Sequence, residues 1–385
     1  MLKEKINRIR FDRNEFSGSF GDIGTSFPLI IGLILVCKLD VTSTMVMFGI
    51  MQIFTGLVYG IPMSVQPLKA MAVLMISQKL TGNILYGAGL AIGITMLFLT
   101  LTGLLNWLVK IIPIGVIRGI QFGLGLSLAN LALKDYIQSD GYFGYVLAFI
   151  GFVITLVLLG NRKFPSALIL MFLAVCYAAI FKINISTISD GLSFHLPSFR
   201  ISSQSDIWQG FILLALPQIA LSISNSVVAT QQTVKDLFPE KELTVKKIGF
   251  TYSLMNIVNS FFGGIPTCHG SGGIAGHYTF GARTGGSVII YGSMCIVIGL
   301  FFSTVFEEIV KIFPLPVLGI ILLFESLALM SFIRSVSSSK MDLFIALVVA
   351  LICVGLPHGY VIGLVLGTTI TYLTRKKFLM KYFDE

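Results

Sequence analysis

Two short segments of this chain carry residue types suited to holding an anion. GIPMSVQPLKAMA at 60–72 contains Gln66, Pro67 and Lys69, and GIPTCHGSGGIAG at 264–276 contains Cys268, His269, Gly270, Ser271, Gly272 and Gly273. Each opens on Gly-Ile-Pro behind a helix-length apolar run. Each then leads into an apolar stretch too short to cross a bilayer, which takes about 20 helical residues. A helix that begins midway through a membrane leaves its first N–H groups unpaired and aimed at whatever lies in front of them. Those donors and the positive end of the helix dipole favour an anion. The Gly-Ser-Gly-Gly run lets main chain approach a ligand closely. Gln66 and Ser271 can donate from their side chains, and Lys69 adds a positive charge.

Other polar residues inside apolar runs extend this reading. Lys69 would cost about 2.5–3.5 kcal/mol at a span centre on insertion scales, so it needs a counter-charge: an anionic substrate or Asp22. Asp22, in GSFGDIGTSFPL at 18–29 with Thr25 beside it, and Glu325 are the carboxylates clearly within spans. Asp22 is expected to carry a proton, against the plainer role of capping the first span. Glu325 is expected away from the pocket, in packing or a gate. Gln218, Ser222 and Asn225 are spaced i, i+4, i+7 and share a helix face, which is expected to line the cavity rather than bond neighbouring helices. His269 and His277 lack a metal-ligand spacing and read as pocket lining, with a proton-linked contact for His277. Arg283 would meet lipid or the adjacent loop. Adjacent Cys268 and His269 do not form a nucleophile–base pair, so neither an enzyme, a cofactor nor a metal is indicated.

The elements that must position these residues follow from composition. Of 385 residues, 55% are hydrophobic and 12% charged, against about 25% charged in soluble domains. Mean hydropathy is +0.90, which makes the chain a polytopic membrane protein. Its net charge of +9 gathers at the ends of spans, which is an orientation signal and not a nucleic-acid face. Cys37, Cys176, Cys268, Cys295 and Cys353 are scattered and read as small core residues. The basic N-terminus, Lys3 to Arg13, has no cleavable apolar core behind it.

Apolar runs fall at 20–36, 42–59, 82–107, 114–133, 142–159 and 164–181, then at 207–230, 247–263, 285–305, 315–333, 341–355 and 358–374. With short segments at 67–78 and 270–281 they predict an all-α protein of 14 transmembrane segments. FGIMQIFTGLVY (48–59) lies over YSLMNIVNSFFG (252–263), Met51 on Met255 and Pro62 on Pro266. LVKIIPIGVIRGI (108–120) recurs as IVKIFPLPVLGII (309–321). The chain is therefore a duplication, 1–181 and 207–385 about an outer connection at 182–206, and seven spans per half make the repeat inverted. With both termini inside, 19 Lys and Arg fall in inner loops and six, Lys38, Lys79, Lys134, Lys182, Arg200 and Lys311, in outer ones. Asn184–Ser186 is a glycosylation triplet of little weight.

At GDIGTSFPL, PMSVQPLKAMA and GIPTCHGSGGIAGHYTFGARTGG (264–286), the sequence resembles the molybdate transporter family, relatives of the SulP sulfate permeases, over essentially all spans. The resemblance implies a SulP and nucleobase-transporter-like fold without a STAS domain. It implies a core of spans 1–4 and 8–11, a gate of spans 5–7 and 12–14, and substrate between the starts of spans 3 and 10, carried in an elevator-like cycle. The implied substrate, molybdate, is a tetrahedral dianion and needs donors. They would come from Thr25, Gln66 to Lys69, Gln218, Ser222, Asn225 and 268–273. The expectation is import with protons, since no ATP-binding motif is present, through a cell membrane, with lipid and a second copy of the chain as candidate partners. The alternatives are a sulfate or other oxyanion carrier, a proton-coupled nucleobase carrier and an anion channel.

Overall fold

Glycines, prolines and capping side chains set the helix ends. The computed structural model describes residues 9–158, 169–170, 172–174, 193–311 and 313–375. Most of the expected seventh span at 164–181, Cys176 and the Asn184–Ser186 triplet lie outside the described residues. Helix α1 (Arg13–Gly18) starts at Asp12, whose carboxylate accepts the N–H groups of Asn14 and Glu15. α2 (Ile23–Cys37) is followed by α3 (Val41–Tyr59), which Asp40 caps at the Ser43 N–H and Gly60 ends at φ +68°. Strand β1 (Val65–Pro67) leads into the short α4 (Lys69–Gln78). α5 (Gly82–Thr102), α6 (Leu104–Ile111), α7 (Ile114–Leu131) and α8 (Gly141–Val157) follow.

The second half repeats this order. α9 (204–237) precedes α10 (Val245–Phe261), strand β2 (Thr267–His269) and the short α11 (Ser271–Thr279). α12 (Gly286–Phe301), α13 (Ser303–Lys311), α14 (Leu315–Ser331), α15 (Lys340–Gly355) and α16 (Gly359–Arg375) complete it. Among the described residues, four helices are long and apolar enough to cross a membrane: α3, α5, and α7 and α14 with their extensions to 136 and 336. α2, α8 and α16 are apolar but shorter.

Two expected spans are shorter than their apolar runs. The run at 82–107 breaks at Gly103, φ +76°, where α5 gives way to α6. The run at 285–305 breaks after Phe301, and α13 leaves α12 at 94°. Hydropathy could not see these bends, because α6 and α13 are amphipathic and their apolar faces continue the run. The block repeated at 108–120 and 309–321 spans the end of one such helix, a proline cap and the start of α7 or α14.

Packing interleaves the two halves. α3 lies along α12 and α5 along α10, contacts between elements at matching places in the order of the two halves, and α7 packs on both α14 and α15. Between α3 and α12 the backbones nearly touch: a Cβ on Gly292 would sit 2.5 Å from the Gly49 carbonyl oxygen, the small-residue contact that lets membrane helices associate. Gly123 and Gly125 likewise face Cys353 and Met330. Cys37, Cys268, Cys295 and Cys353 are buried and free.

Candidate anion site

The two short helices start back to back. β1 and β2 pair antiparallel, with Val65 opposite His269, Gln66 opposite Cys268 and Pro67 opposite Thr267. The Leu68 N–H donates to the Pro266 carbonyl at 3.0 Å and the Gly270 N–H to the Ser64 carbonyl at 3.1 Å, so the bonding runs up to both helix starts. Extended backbone buried at this depth must have its polar groups satisfied by protein, and mutual pairing does this on one edge of each strand. Side chains do it on the other. Gln52 of α3 donates to the Val65 carbonyl (2.8 Å) and accepts the Val65 N–H (3.1 Å). Asn256 of α10 does the same for Thr267, at 2.7 and 2.9 Å. Thr55 and Asn259, one turn on, donate to the Met63 and Ile265 carbonyls at 2.8 Å.

In front of the strands, Asp22 gathers the first-half side chains. Its carboxylate accepts from the hydroxyls of Thr25 and Ser64, from Ser26 at 3.1 Å and from the Gln66 amide at 2.5 Å. Although Asp22 sits at the start of α2, its side chain caps no backbone N–H. The capping alternative does not hold, because four side-chain donors take up the carboxylate first. Gly273 is needed behind it, since a Cβ there would lie 2.7 Å from Asp22 Oδ2.

Lys69 is not paired with Asp22. Its Nζ lies 2.5 Å from Oε1 of Glu325 on α14. The expected remoteness of Glu325 is therefore corrected: α14 packs against α2 and brings its carboxylate to the site. The Lys69 side chain is 36% exposed and that of Glu325 17%, so both face open space deep among the helices.

The remaining candidates divide by accessibility. Thr25 and Gly272 are exposed, while Asn225 and Ser271 are half-buried. Nothing lies within 4 Å of where a Gly272 Cβ would be. The N–H groups of Ser271, Gly272 and Gly273 find no acceptor among the described residues, and Gly270 offers no side-chain cap. At the other tip, the Met71 N–H is taken by Gln218 Oε1 at 3.2 Å.

Gln218, Ser222, His269 and His277, all expected in the pocket, point elsewhere. Gln218 also donates to Ser222 at 3.0 Å, and Ser222 bonds the Tyr252 hydroxyl at 2.8 Å, so this part of the stripe joins helices rather than lining space. A π-helical turn at Ser222–Val228 inserts an extra residue per turn and moves Asn225 off the face shared by Gln218 and Ser222. The His269 ring lies behind β2, its Nε2 2.7 Å from Thr251 Oγ1 and its face edge-on to Tyr59. His277 is fully buried, 6.4 Å from the Tyr291 ring. Arg283 stacks on Tyr278 and donates to the Tyr278 and Ala282 carbonyls at the end of α11.

This sequence matches the family described as "Molybdate transporter of MFS superfamily" over residues 14–128 and 210–329. It is 34% identical to "Molybdate transporter 2" of Arabidopsis thaliana, over 88% of this chain and 82% of that one. It is 35% identical to "Molybdate transporter 1" of the same organism, over 92% and 86%. The chain belongs to the molybdate transporter family. Its fold is similar to the transmembrane domain of a cyanobacterial bicarbonate transporter, BicA, with a TM-score of 0.67 and 17% identity over 93% of this chain and 98% of that one. It is also similar to the murine Solute Carrier 26 family member A9 anion transporter in the inward-facing state, with a TM-score of 0.72 and 12% identity over 97% and 70%.

In this molybdate transporter family member, sequence reasoning passed over Gln52, Thr55, Asn256 and Asn259. A signal was present. Laid over each other, QIFT (52–55) and NIVN (256–259) put polar residues at the same two positions of matched apolar helices. Both halves keep them because both halves have a strand to hold.

Proposed function

We propose that this chain is a secondary transporter that imports molybdate together with protons through a cell membrane, with both termini inside. One observation carries the reading: two half-helix starts are bonded back to back, one bearing a lysine and the other three N–H groups unpaired among the described residues. A tetrahedral dianion is the ligand that uses such a set. It accepts from several directions, it gains from both helix dipoles, and it offers no donor to a buried acceptor. Lys69 and 271–273 are the contacts proposed to touch it, with Gln66, Pro67 and Cys268 forming the floor and Thr25 at the edge, its hydroxyl proton given to Asp22. The molybdate transporters at 34 and 35% identity support this choice of oxyanion.

The proposed layout is 14 segments in two inverted halves of seven, with the bends after α5 and α12 as joints. α2 to α5 and α9 to α12 would move as a body against the helices from α7 and α14 onward, in an elevator-like cycle. The interleaved contacts of α3 with α12 and α5 with α10 support that body.

The test is uptake of labelled molybdate by the full chain in proteoliposomes, at several external pH values, against unlabelled tungstate, sulfate and uracil. Saturable uptake that is stimulated by external acid and competed by tungstate, but not by uracil, is expected. Competition by uracil would overturn the oxyanion reading, and ion currents far above carrier turnover would replace the carrier with a channel. Equal competition by sulfate would broaden the substrate to tetrahedral dianions in general.

A further inference from the structure

The two carboxylates at the site are held in opposite ways. Asp22 is 1% exposed and accepts from four side chains, so removing any one partner leaves three. Among the described residues Glu325 has Lys69 as its single bonded partner, and it faces open space and sits on a different helix from the lysine. We propose that Glu325 is the exchangeable counter-ion of Lys69: an arriving oxyanion displaces it, and the displaced carboxylate takes up the proton that accompanies the anion. This deepens the proposed function and rests on its placement of the anion at Lys69.

The exchange follows from electrostatics. Glu325 occupies Lys69 where a substrate oxygen would bind, so in the empty carrier it stands in for the anion. A dianion at Lys69 would leave an ionised Glu325, only 17% exposed, unpaired beside two further negative charges, which is the costly arrangement. A proton removes that cost. In the balanced exchange, paired Lys69 and Glu325 plus one dianion and one proton give Lys69 paired with the dianion and neutral Glu325. Both sides carry a net charge of −1, so one proton enters with each dianion at this site. Protonation of Glu325 and anion binding then strengthen each other by the same factor.

Among the described residues, the charged or thiol neighbours of Lys69 besides Glu325 are Cys268 and Asp22, the latter already taken up by its four donors. Among elements packed on α14, α7 presents Arg118, held by Gln121 and Ser335, and the turn after it presents Asp135, 3.5 Å from Lys79. Lys134 and the α8 tyrosines Tyr142 and Tyr145 are exposed, Cys37 lies at the far end of α2, and Tyr136 packs against Gly319, away from Glu325 along α14.

The experiment compares the wild-type chain, Glu325→Gln, Asp22→Asn and the double variant Lys69→Gln/Glu325→Gln in proteoliposomes carrying an internal pH dye. Molybdate uptake and proton entry are followed together across external pH. For the wild type, KM should fall as pH falls and protons should enter with molybdate. Glu325→Gln should show a low KM that no longer varies with pH, roughly tenfold below the wild-type value at neutral pH, and no molybdate-driven proton entry. Asp22→Asn should keep the pH dependence at a lower rate. The double variant buries no lone charge, so it should insert normally and lose uptake. Wild-type pH dependence and proton entry in Glu325→Gln would overturn the proposal while leaving molybdate transport intact. Loss of coupling in Asp22→Asn alone would move the proton to Asp22. Absence of molybdate uptake by the wild type would sink the proposed function and this inference with it.

Discussion

The first half-helix start is furnished with side chains, and the second is almost bare. Before α4 stand Ser64 and Gln66, both bonded to Asp22, and its first residue is Lys69, paired with Glu325. Before α11 stand Cys268 and His269, the latter turned away behind the strand, and its first turn is Ser271, Gly272 and Gly273. The strands and their amide clamps are the same in both halves. The same scaffold brings the two helix tips together. Their faces differ, one carrying charge and the other main-chain donors and room.

Losing the charged side should have the largest effect. In Lys69→Ala the site keeps its shape but loses its cation and strands Glu325. Truncating one partner of a desolvated charge pair typically costs about 2–5 kcal/mol, so molybdate uptake should fall by about 100-fold or more while the protein still reaches the membrane. Near-wild-type uptake by a well-inserted Lys69→Ala would mean that the bare tip alone binds the anion. Gly272→Leu probes that tip. With nothing within 4 Å of its Cβ position, the leucine meets open space, so the unfolding temperature in detergent should shift by no more than about 2 °C. Uptake should be lost because the side chain fills the space proposed for substrate. Retained uptake would remove Gly272 from the pocket.

Much of this division could be read from residue order, and some of it could not. The Gly-Ile-Pro openings, the matched runs before them and the cost of Lys69 in an apolar segment pointed to two adjoining helix starts and a lysine in need of a counter-charge. The partner of Lys69 was out of reach, because Glu325 lies 256 positions away and meets it only through the packing of α14. The bends at Gly103 and Phe302 were hidden by amphipathic helices that prolong apolar runs. The π-helical turn in α9 defeated a stripe argument that assumes uniform helical spacing. Strands of three residues are too short for any periodicity to announce them, yet they fix the site.

The shared scaffold gives the next test. Gln52→Ala and Asn256→Ala each leave one buried N–H and one buried carbonyl unpaired, at about 1–3 kcal/mol per group. Both should lower the free energy of unfolding, by amounts within about 1 kcal/mol of each other, and both should reduce uptake through a displaced strand. A large loss from one and none from the other, in denaturation monitored by intrinsic fluorescence, would show that only one strand depends on its clamp.

The smallest effect is expected where the furnished tip is closed off from above. Gln218 takes the Met71 N–H and so occupies a donor of α4 that its counterpart at α11 leaves free. Gln218→Ala would release that donor and end the bond to Ser222, making the first tip more like the second. One such bond is worth about 1 kcal/mol, or roughly fivefold in an equilibrium constant. The molybdate KM should therefore move by no more than about fivefold, in either direction, according to whether the released N–H turns to the anion or is lost to local disorder. A change as large as that of Lys69→Ala would place Gln218 in contact with substrate, and the closed tip would have to be redrawn as an open one.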